Sequence, residues 1–355
     1  MYQYPYAFEF VRSIRCGWNL GNTFDSVFRA ASAENIPSVT DHETAWGNPP
    51  TTRGQLEAIR DAGFDAVRIP VTWTQHIGAA PDYRMDPQWL RRVDGIVREA
   101  FSLGFRVILN VHHDASPNFG TISPAPAQLE RSVQCLCAIW AQIAAHFADL
   151  GESLIFETLN EPRCGDDWEG TKETCEAVNQ LNAAAVHTIR NAGGCNQTRY
   201  LLLPTYAASA KPTALRYMKI PQDDRILISV HVYAPSAFCF PSNEVTWTEP
   251  ITEWGTQKEH FDHLIRIFDD LEHYCIRKGI PVIIGETGAV FKHNTHSRHF
   301  WAAVFTKEAA MRGIPCFWWD EGKTHENGFA LLDRHTLTCP DPALISILTG
   351  KIYPR

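Results

Sequence analysis

Two short strings carry the reactive groups of this 355-residue chain: Thr158-Leu159-Asn160-Glu161-Pro162 and Ile284-Gly285-Glu286-Thr287. Each ends an apolar, strand-like run with a glutamate. Two carboxyl groups that face one substrate from opposite sides can cleave a glycosidic bond. One protonates the leaving oxygen and the other attacks the anomeric carbon. Asn-Glu-Pro alone recurs by chance in any large set of sequences. The pair gains its weight from the elements that must position it.

Strand-like and helix-like stretches alternate from end to end. The predicted strands are 15–20, 66–70, 106–111, 154–159, 200–204, 226–232, 281–285 and 315–319. They are short and almost uniformly apolar, as parallel strands covered on both faces are. Amphipathic stretches at 53–62, 127–148, 172–192, 257–278 and 297–312 read as helices. A further helix starts at Asp86-Pro87, with Asp as the cap and Pro in the first turn, and Gly104 ends it. Eight strands each followed by a helix predict an α/β fold, a (β/α)₈ barrel, as a single domain over 1–355 without linker or appended carbohydrate-binding module. The alternative, an open doubly wound sheet, would need a phosphate-binding fingerprint that Gly17-Trp18-Asn19-Leu20-Gly21 does not supply.

In such a barrel the C-terminal ends of the strands build the site. Those ends carry Trp18, Asn19 and Asn22; Arg68; Asn110, His112, His113 and Asp114; Asn160 and Glu161; His231 and Tyr233; Glu286; and Trp318, Trp319, Asp320 and Glu321. The strand bodies are aliphatic.

Bulk composition excludes several classes. Hydrophobic residues make up 45% and charged residues 20%, which suits a globular protein with a sizeable core. The net charge is −8 without clustered Lys and Arg, so no nucleic-acid partner is expected. No apolar stretch reaches the roughly 20 residues of a membrane span. The first six residues have neither the basic start nor the apolar run of a signal peptide, so the sequence reads as cytoplasmic or as the trimmed form of a secreted protein. The 11 Trp suit sugar stacking, and the 10 Cys, irregularly spaced, read as buried thiols or one or two disulfides.

The chain resembles glycoside hydrolase family 5, most closely its subfamily 4 of endo-β-1,4-glucanases and xyloglucanases. The resemblance rests on Gly17-Trp-Asn-Leu-Gly-Asn-Thr23, Glu43-Thr-Ala-Trp-Gly-Asn-Pro49, Val67-Arg-Ile-Pro-Val-Thr-Trp73, Val111-His-His-Asp114, Asn160-Glu161-Pro162, Val230-His-Val-Tyr-Ala-Pro235, Gly285-Glu286 and Phe317-Trp-Trp-Asp320. It implies a retaining, extracellular, monomeric enzyme that acts on a β-glucan polysaccharide or oligosaccharide without a cofactor. Glu161 would be the acid/base and Glu286 the nucleophile. Arg68 would keep Glu286 ionised, Tyr233 would donate to it, and Asn160 would bind the 2-hydroxyl. His112 and His231 would line the subsite of the reacting sugar over a Trp319 floor. Asn22, Asp25, Trp46 and His113 would reach neighbouring sugars. Either Trp318 or Trp319 could face the sugar, and Trp247 and Trp254 could be a platform or ordinary packing. A metal at His112-His113-Asp114 is not expected, because neighbours on a strand diverge. Thr287, Glu321 and Ala115-Ser116-Pro117 depart from the family pattern and bear on subsites, with mannan and mixed-linkage glucan as alternative substrates.

Overall fold

The computed structural model describes residues 5–28 and 38–351. The sequence reading of the extreme N-terminus concerns residues 1–4 in part, which lie outside the described residues. Eight parallel strands close into a barrel in sequence order: β1 (Gly17–Leu20), β2 (Ala66–Ile69), β3 (Arg106–Asn110), β4 (Leu154–Glu157), β5 (Leu201–Ser209), β6 (Ile226–Val232), β7 (Val282–Thr287) and β8 (Cys316–Asp320), with β8 paired back to β1. The expected helices are present, including Arg53–Ala62 and Lys172–Asn191. Helix Pro87–Ser102 starts as its sequence requires: the Asp86 carboxylate accepts the Gln88 amide at 2.8 Å, and Pro87 follows it. Beyond its end, Gly104 sits at φ +86°, a left-handed conformation that costs a glycine nothing.

Outward-facing strand residues such as Val67, Leu109, Phe156, Ile228 and Ile284 meet the apolar faces of the surrounding helices in one core. Inward-facing residues form layers. The floor is apolar: Ala66, Ile108, Ile155, Leu202, Leu227, Ile283 and Phe317 pack together and are covered by Ala7, Val11 and Ile14 from helix Pro5–Arg12 and the segment after it. Gly17 makes room in this layer, since a Cβ there would lie 2.1 Å from the Phe317 ring. Two residues further along each strand the layer turns polar, with Arg68, Asn110, Glu157 and Ser229 all fully buried.

Three strands depart from their expected C-terminal ends by two residues or more: β5 runs on from 204 to Ser209, and the departures of β4 and β7 shape the site. β4 stops at Glu157, two residues early. The Thr158 carbonyl is taken by the Trp140 indole N–H at 2.9 Å from a neighbouring helix, so the ladder ends and Glu161 sits in a loop. β7 continues to Thr287 through an irregularity: Val230 pairs with Ile284, but the next residue of β6, His231, pairs with Glu286. Gly285 is the extra residue of a bulge.

Candidate active site

The bulge decides where the second glutamate points. Ile283 faces inward in the floor and Ile284 outward, so strict alternation would turn Gly285 in and Glu286 out. With one residue added, Glu286 also faces the barrel axis, where Arg68 Nη1 meets its Oε1 at 2.7 Å and the Tyr233 hydroxyl donates to its Oε2 at 3.0 Å.

Arg68 is the hub of the polar layer. Its Nε donates to Glu157 Oε2 (2.7 Å), Nη1 to Asn19 Oδ1 (3.0 Å) and Glu286, and Nη2 to Asn160 Oδ1 (2.7 Å). Nη2 also lies 2.7 Å from Glu157 Oε2. Burial works against its charge, but Glu157 and Glu286 outweigh that and hold the guanidinium firmly protonated. Glu157, which sequence reasoning missed, also accepts from Asn110 Nδ2 (2.9 Å) and Ser229 Oγ (2.7 Å). Its signal is a lone acid after the apolar run Leu154-Ile155-Phe156, a group that must be paired if it is buried.

Glu161 approaches from the β4 loop. Its Oε1 lies 2.8 Å from His231 Nδ1, which is itself 3.6 Å from Glu286 Oε2. One oxygen of each glutamate and a ring nitrogen of His231 lie within 4.8 Å of one another. That close approach matches the roughly 5–5.5 Å carboxyl separation of retaining glycosidases, not the roughly 6.5–9.5 Å that leaves room for an inverting water. Burial works to raise Glu161, but the His231 hydrogen bond and charge, with Arg163 and Arg68, bring it below the ordinary glutamate value. His231 moves the opposite way: burial opposes its charge, but Glu286 and Glu161 raise it. Each group thus favours the charged form of the other, as an ion pair does. Tyr233 is pushed well above the usual phenol range by burial and by Glu286 and Glu161, so it donates as a neutral hydroxyl.

His112 and Trp319 face each other at 6.1 Å with planes 8° apart, and Trp319 also packs over Gly21. Trp318 is buried and donates its indole N–H to the Phe329 carbonyl, so Trp319 is the one turned to the cleft. A recess of about 610 Å³ opens beside it, walled by Asn22, Phe240, Glu244, Lys323 and Phe329. A larger cavity of about 980 Å³ lies on the barrel flank by the starts of β1 and β8; neither glutamate lines it. Trp46 is 37% exposed and sits 5.6 Å from the His113 ring. Trp247 is 65% exposed, whereas Trp254 is core.

Asp25 is a correction. It is fully buried, and its carboxylate accepts the amides of Asn22 (3.1 Å) and Thr23 (2.7 Å), which fixes the turn that puts Asn22 at φ +54°. It holds the rim and has no surface to offer a sugar. Burial, against those amides, raises it to about 6.

The argument that His112 and His113 diverge is also corrected. β3 ends at Asn110 and a 3₁₀ turn begins at His113, so the two rings come within 4.5 Å, and a donor atom of Asp25 joins them within 4.8 Å. The hydrogen bonds nonetheless do not suit a metal. Asn110 Oδ1 accepts the Val71 amide, so its Nδ2 donates to His112 Nδ1 at 3.0 Å. His112, kept neutral by burial and by His113 and Arg68, then carries its proton on Nε2, and neither ring nitrogen offers a free lone pair. Elsewhere Cys16, Cys135, Cys175, Cys239 and Cys275 are buried free thiols.

The model of the Cellulase family (glycosyl hydrolase family 5) matches residues 29–324. The chain is 40% identical over 350 residues to the cellulase/esterase CelE of Acetivibrio thermocellus, covering 96% of this chain and 40% of that protein. It is 38% identical over 340 residues to endoglucanase A of Ruminococcus albus, covering 94% and 89%. Among solved structures, a broad-specificity endoglucanase of subfamily 4 from Clostridium acetobutylicum matches with TM-score 0.87 and 36% identity, over 97% of this chain and 99% of that one. A family 5 lichenase from Caldicellulosiruptor sp. F32, in complex with cellotetraose, matches with TM-score 0.90 and 36% identity, over 98% and 95%. The closed barrel is thus shared, over nearly the whole chain, with family 5 glycosidases, and this chain belongs to glycosyl hydrolase family 5.

Proposed function

We propose that this glycoside hydrolase is a retaining endo-β-1,4-glucanase that works by double displacement. The observation that carries the reading is the pair of carboxylates with oxygens within 4.8 Å and unlike surroundings. Glu286, its two oxygens held by Arg68 and Tyr233, is placed to attack the anomeric carbon. Glu161, hydrogen-bonded to His231, is placed to give and take a proton at the glycosidic oxygen. In the first step the Glu286 oxygen bonds to the anomeric carbon as Glu161 protonates the departing glycosidic oxygen. In the second, Glu161 takes a proton from water, which displaces Glu286. The amide of Asn160, fixed through Oδ1 by Arg68, leaves Nδ2 to bind the sugar 2-hydroxyl. Trp319 is the floor under the reacting sugar, and Trp46, His113 and Asn22 line neighbouring sugar positions along the cleft.

The names of the relatives support a glucan, a xyloglucan-specific endo-β-1,4-glucanase among the neighbours supports the β-1,4 linkage, and the lichenase neighbour supports mixed-linkage glucan as a second substrate of the same machinery. A polymeric substrate favours an enzyme working outside the cell; among the described residues no helix is long and apolar enough to cross a membrane.

The test is a pair of variants on carboxymethylcellulose, mixed-linkage glucan, xyloglucan, mannan and xylan. Glu161→Ala and Glu286→Ala each lose nearly all hydrolysis. Azide rescues the first to a β-glycosyl azide and the second to the inverted one. Viscosity of a soluble glucan falls steeply per bond cut. Full activity in either variant, wild-type products of inverted configuration, or release of one small sugar at constant viscosity rejects the reading.

A further inference from the structure

One cation near the acid/base has no part in the steps above. Arg163 follows Glu161 by two residues in the β4 loop. His231 occupies Glu161 Oε1; the other oxygen, Oε2, is faced by Arg163 Nη1 at 3.7 Å. That is charge proximity without a direct hydrogen bond. The guanidinium does not hang freely. It lies 3.8 Å over the ring of Trp168, and its side chain is 14% exposed although it sits on a surface loop. Its Nε is buried and has no hydrogen-bond partner among the described residues. Its Nη1 also donates to the backbone carbonyl of Glu161 at 3.4 Å, which ties the guanidinium to the residue it faces. Stacking on Trp168 and the bond to the Glu161 carbonyl together hold the charge where it is.

The platform under it is rigid. Asp167 Oδ1 accepts the amides of Glu169 (2.9 Å) and Gly170 (3.1 Å). The Tyr206 hydroxyl donates to the Asp167 carbonyl (3.0 Å) and accepts the Cys164 amide (3.0 Å). Gly170 takes φ +69°, and a Cβ there would come within 2.6 Å of the Tyr206 ring. These bonds fix both ends of the turn that presents Trp168, itself 46% exposed.

We propose that Arg163, clamped on Trp168, is a positioning residue for the acid/base step: it faces the Glu161 oxygen that His231 leaves open and stabilises the negative charge left there when the proton passes to the leaving oxygen. This rests on Glu161 being the acid/base. As the bond from the anomeric carbon to the glycosidic oxygen breaks and the bond to Glu286 forms, the proton moves from Glu161 to that oxygen and one negative charge appears on Glu161. The charged and titratable groups around Glu161 are His231 from β6 and Tyr233 just after it, Arg68 from β2, Glu286 from β7 through His231, and Arg163 from its own loop. Arg163 is the one held to Oε2 from outside the barrel. Its effect on Glu161 is to lower it, which makes a stronger acid.

The experiment compares Arg163→Gln, Arg163→Lys and Trp168→Ala on two aryl β-cellobiosides, one with a phenyl leaving group that needs a proton and one with a dinitrophenyl group that does not. Glu161→Ala is the control. In Arg163→Gln the alkaline limb of kcat/KM for the phenyl substrate moves up by about 1 pH unit, the low end of what an adjacent opposite charge does to a carboxyl. Its plateau falls roughly three- to tenfold, as a weaker general acid gives. Hydrolysis of the dinitrophenyl substrate is nearly unchanged. Arg163→Lys restores part of the limb, and Trp168→Ala shifts it in the same direction by less. An unmoved limb in folded Arg163→Gln, or an equal fall on both substrates, overturns the proposal. If Glu161→Ala kept its phenyl activity, the acid/base assignment itself would fail, so the two failures are told apart.

Discussion

At the scale of single residues, Arg68 shows how one side chain serves fold and chemistry together. It is fully buried between two carboxylates, and every guanidinium nitrogen has a partner. Taking such a charge out of water costs several kcal/mol, and the network recovers that only while all members are present. Arg68→Met strands Glu157 and Glu286 as buried anions and releases the amide of Asn160. The expected loss is about 3–5 kcal/mol of stability in urea titration, together with nearly all activity. Adding Glu157→Gln neutralises one stranded group and restores part of the stability but none of the activity. A double variant no more stable than the single one would show that the ion pair with Glu157 is not what the loss measures. Sequence reasoning placed Arg68 at the rim beside Glu286; it missed Glu157, because a glutamate within a short strand gives no sign of which face it takes.

At the scale of elements, β7 aims the nucleophile by breaking its own alternation. Gly285 is the residue the bulge requires. A Cβ added there would lie 2.9 Å from Ser229 Oγ, 3.2 Å from His231 Nε2 and 3.4 Å from Glu157 Oε1. Gly285→Ala therefore pushes on the ring that is hydrogen-bonded to Glu161. Overpacking of this kind costs about 1–3 kcal/mol. The larger effect expected is on kcat, a drop of tenfold or more with circular dichroism unchanged at 25 °C. Wild-type kcat in the folded variant would mean that the site absorbs the methyl group without moving His231.

The whole molecule divides by function along the barrel axis. The floor, with Ile14, Val11 and Phe317, is dry and apolar, while the upper layer holds the charges. In barrels of this kind the lower end stabilises and the upper end reacts. Ile14→Ala, which empties part of the plug, should cost about 2–5 kcal/mol by thermal or chemical denaturation and leave kcat and KM of the folded enzyme at 25 °C unchanged. A variant that kept its stability but lost activity would contradict the division.

The sequence by itself determined the architecture and the reactive pair. Eight apolar runs too short and too uniform for half-exposed strands, separated by helices with Asp86-Pro87 and Gly104 as punctuation, admit few folds, and the strand ends bring Glu161, Glu286, Arg68, His231 and Tyr233 to one rim. Those facts are local: periodicity, caps and residue type at an end. What only the tertiary structure decided was direction. The bulge that turns Glu286 inward, the Trp140 indole that ends β4 early, the turn that folds His113 onto His112, and the amides that consume Asp25 all depend on partners far along the chain or on backbone angles that residue type does not dictate. Trp254 and Trp247 make the same point: two tryptophans in one loop, one sealed in the core and one in solvent, separated only by what packs against them.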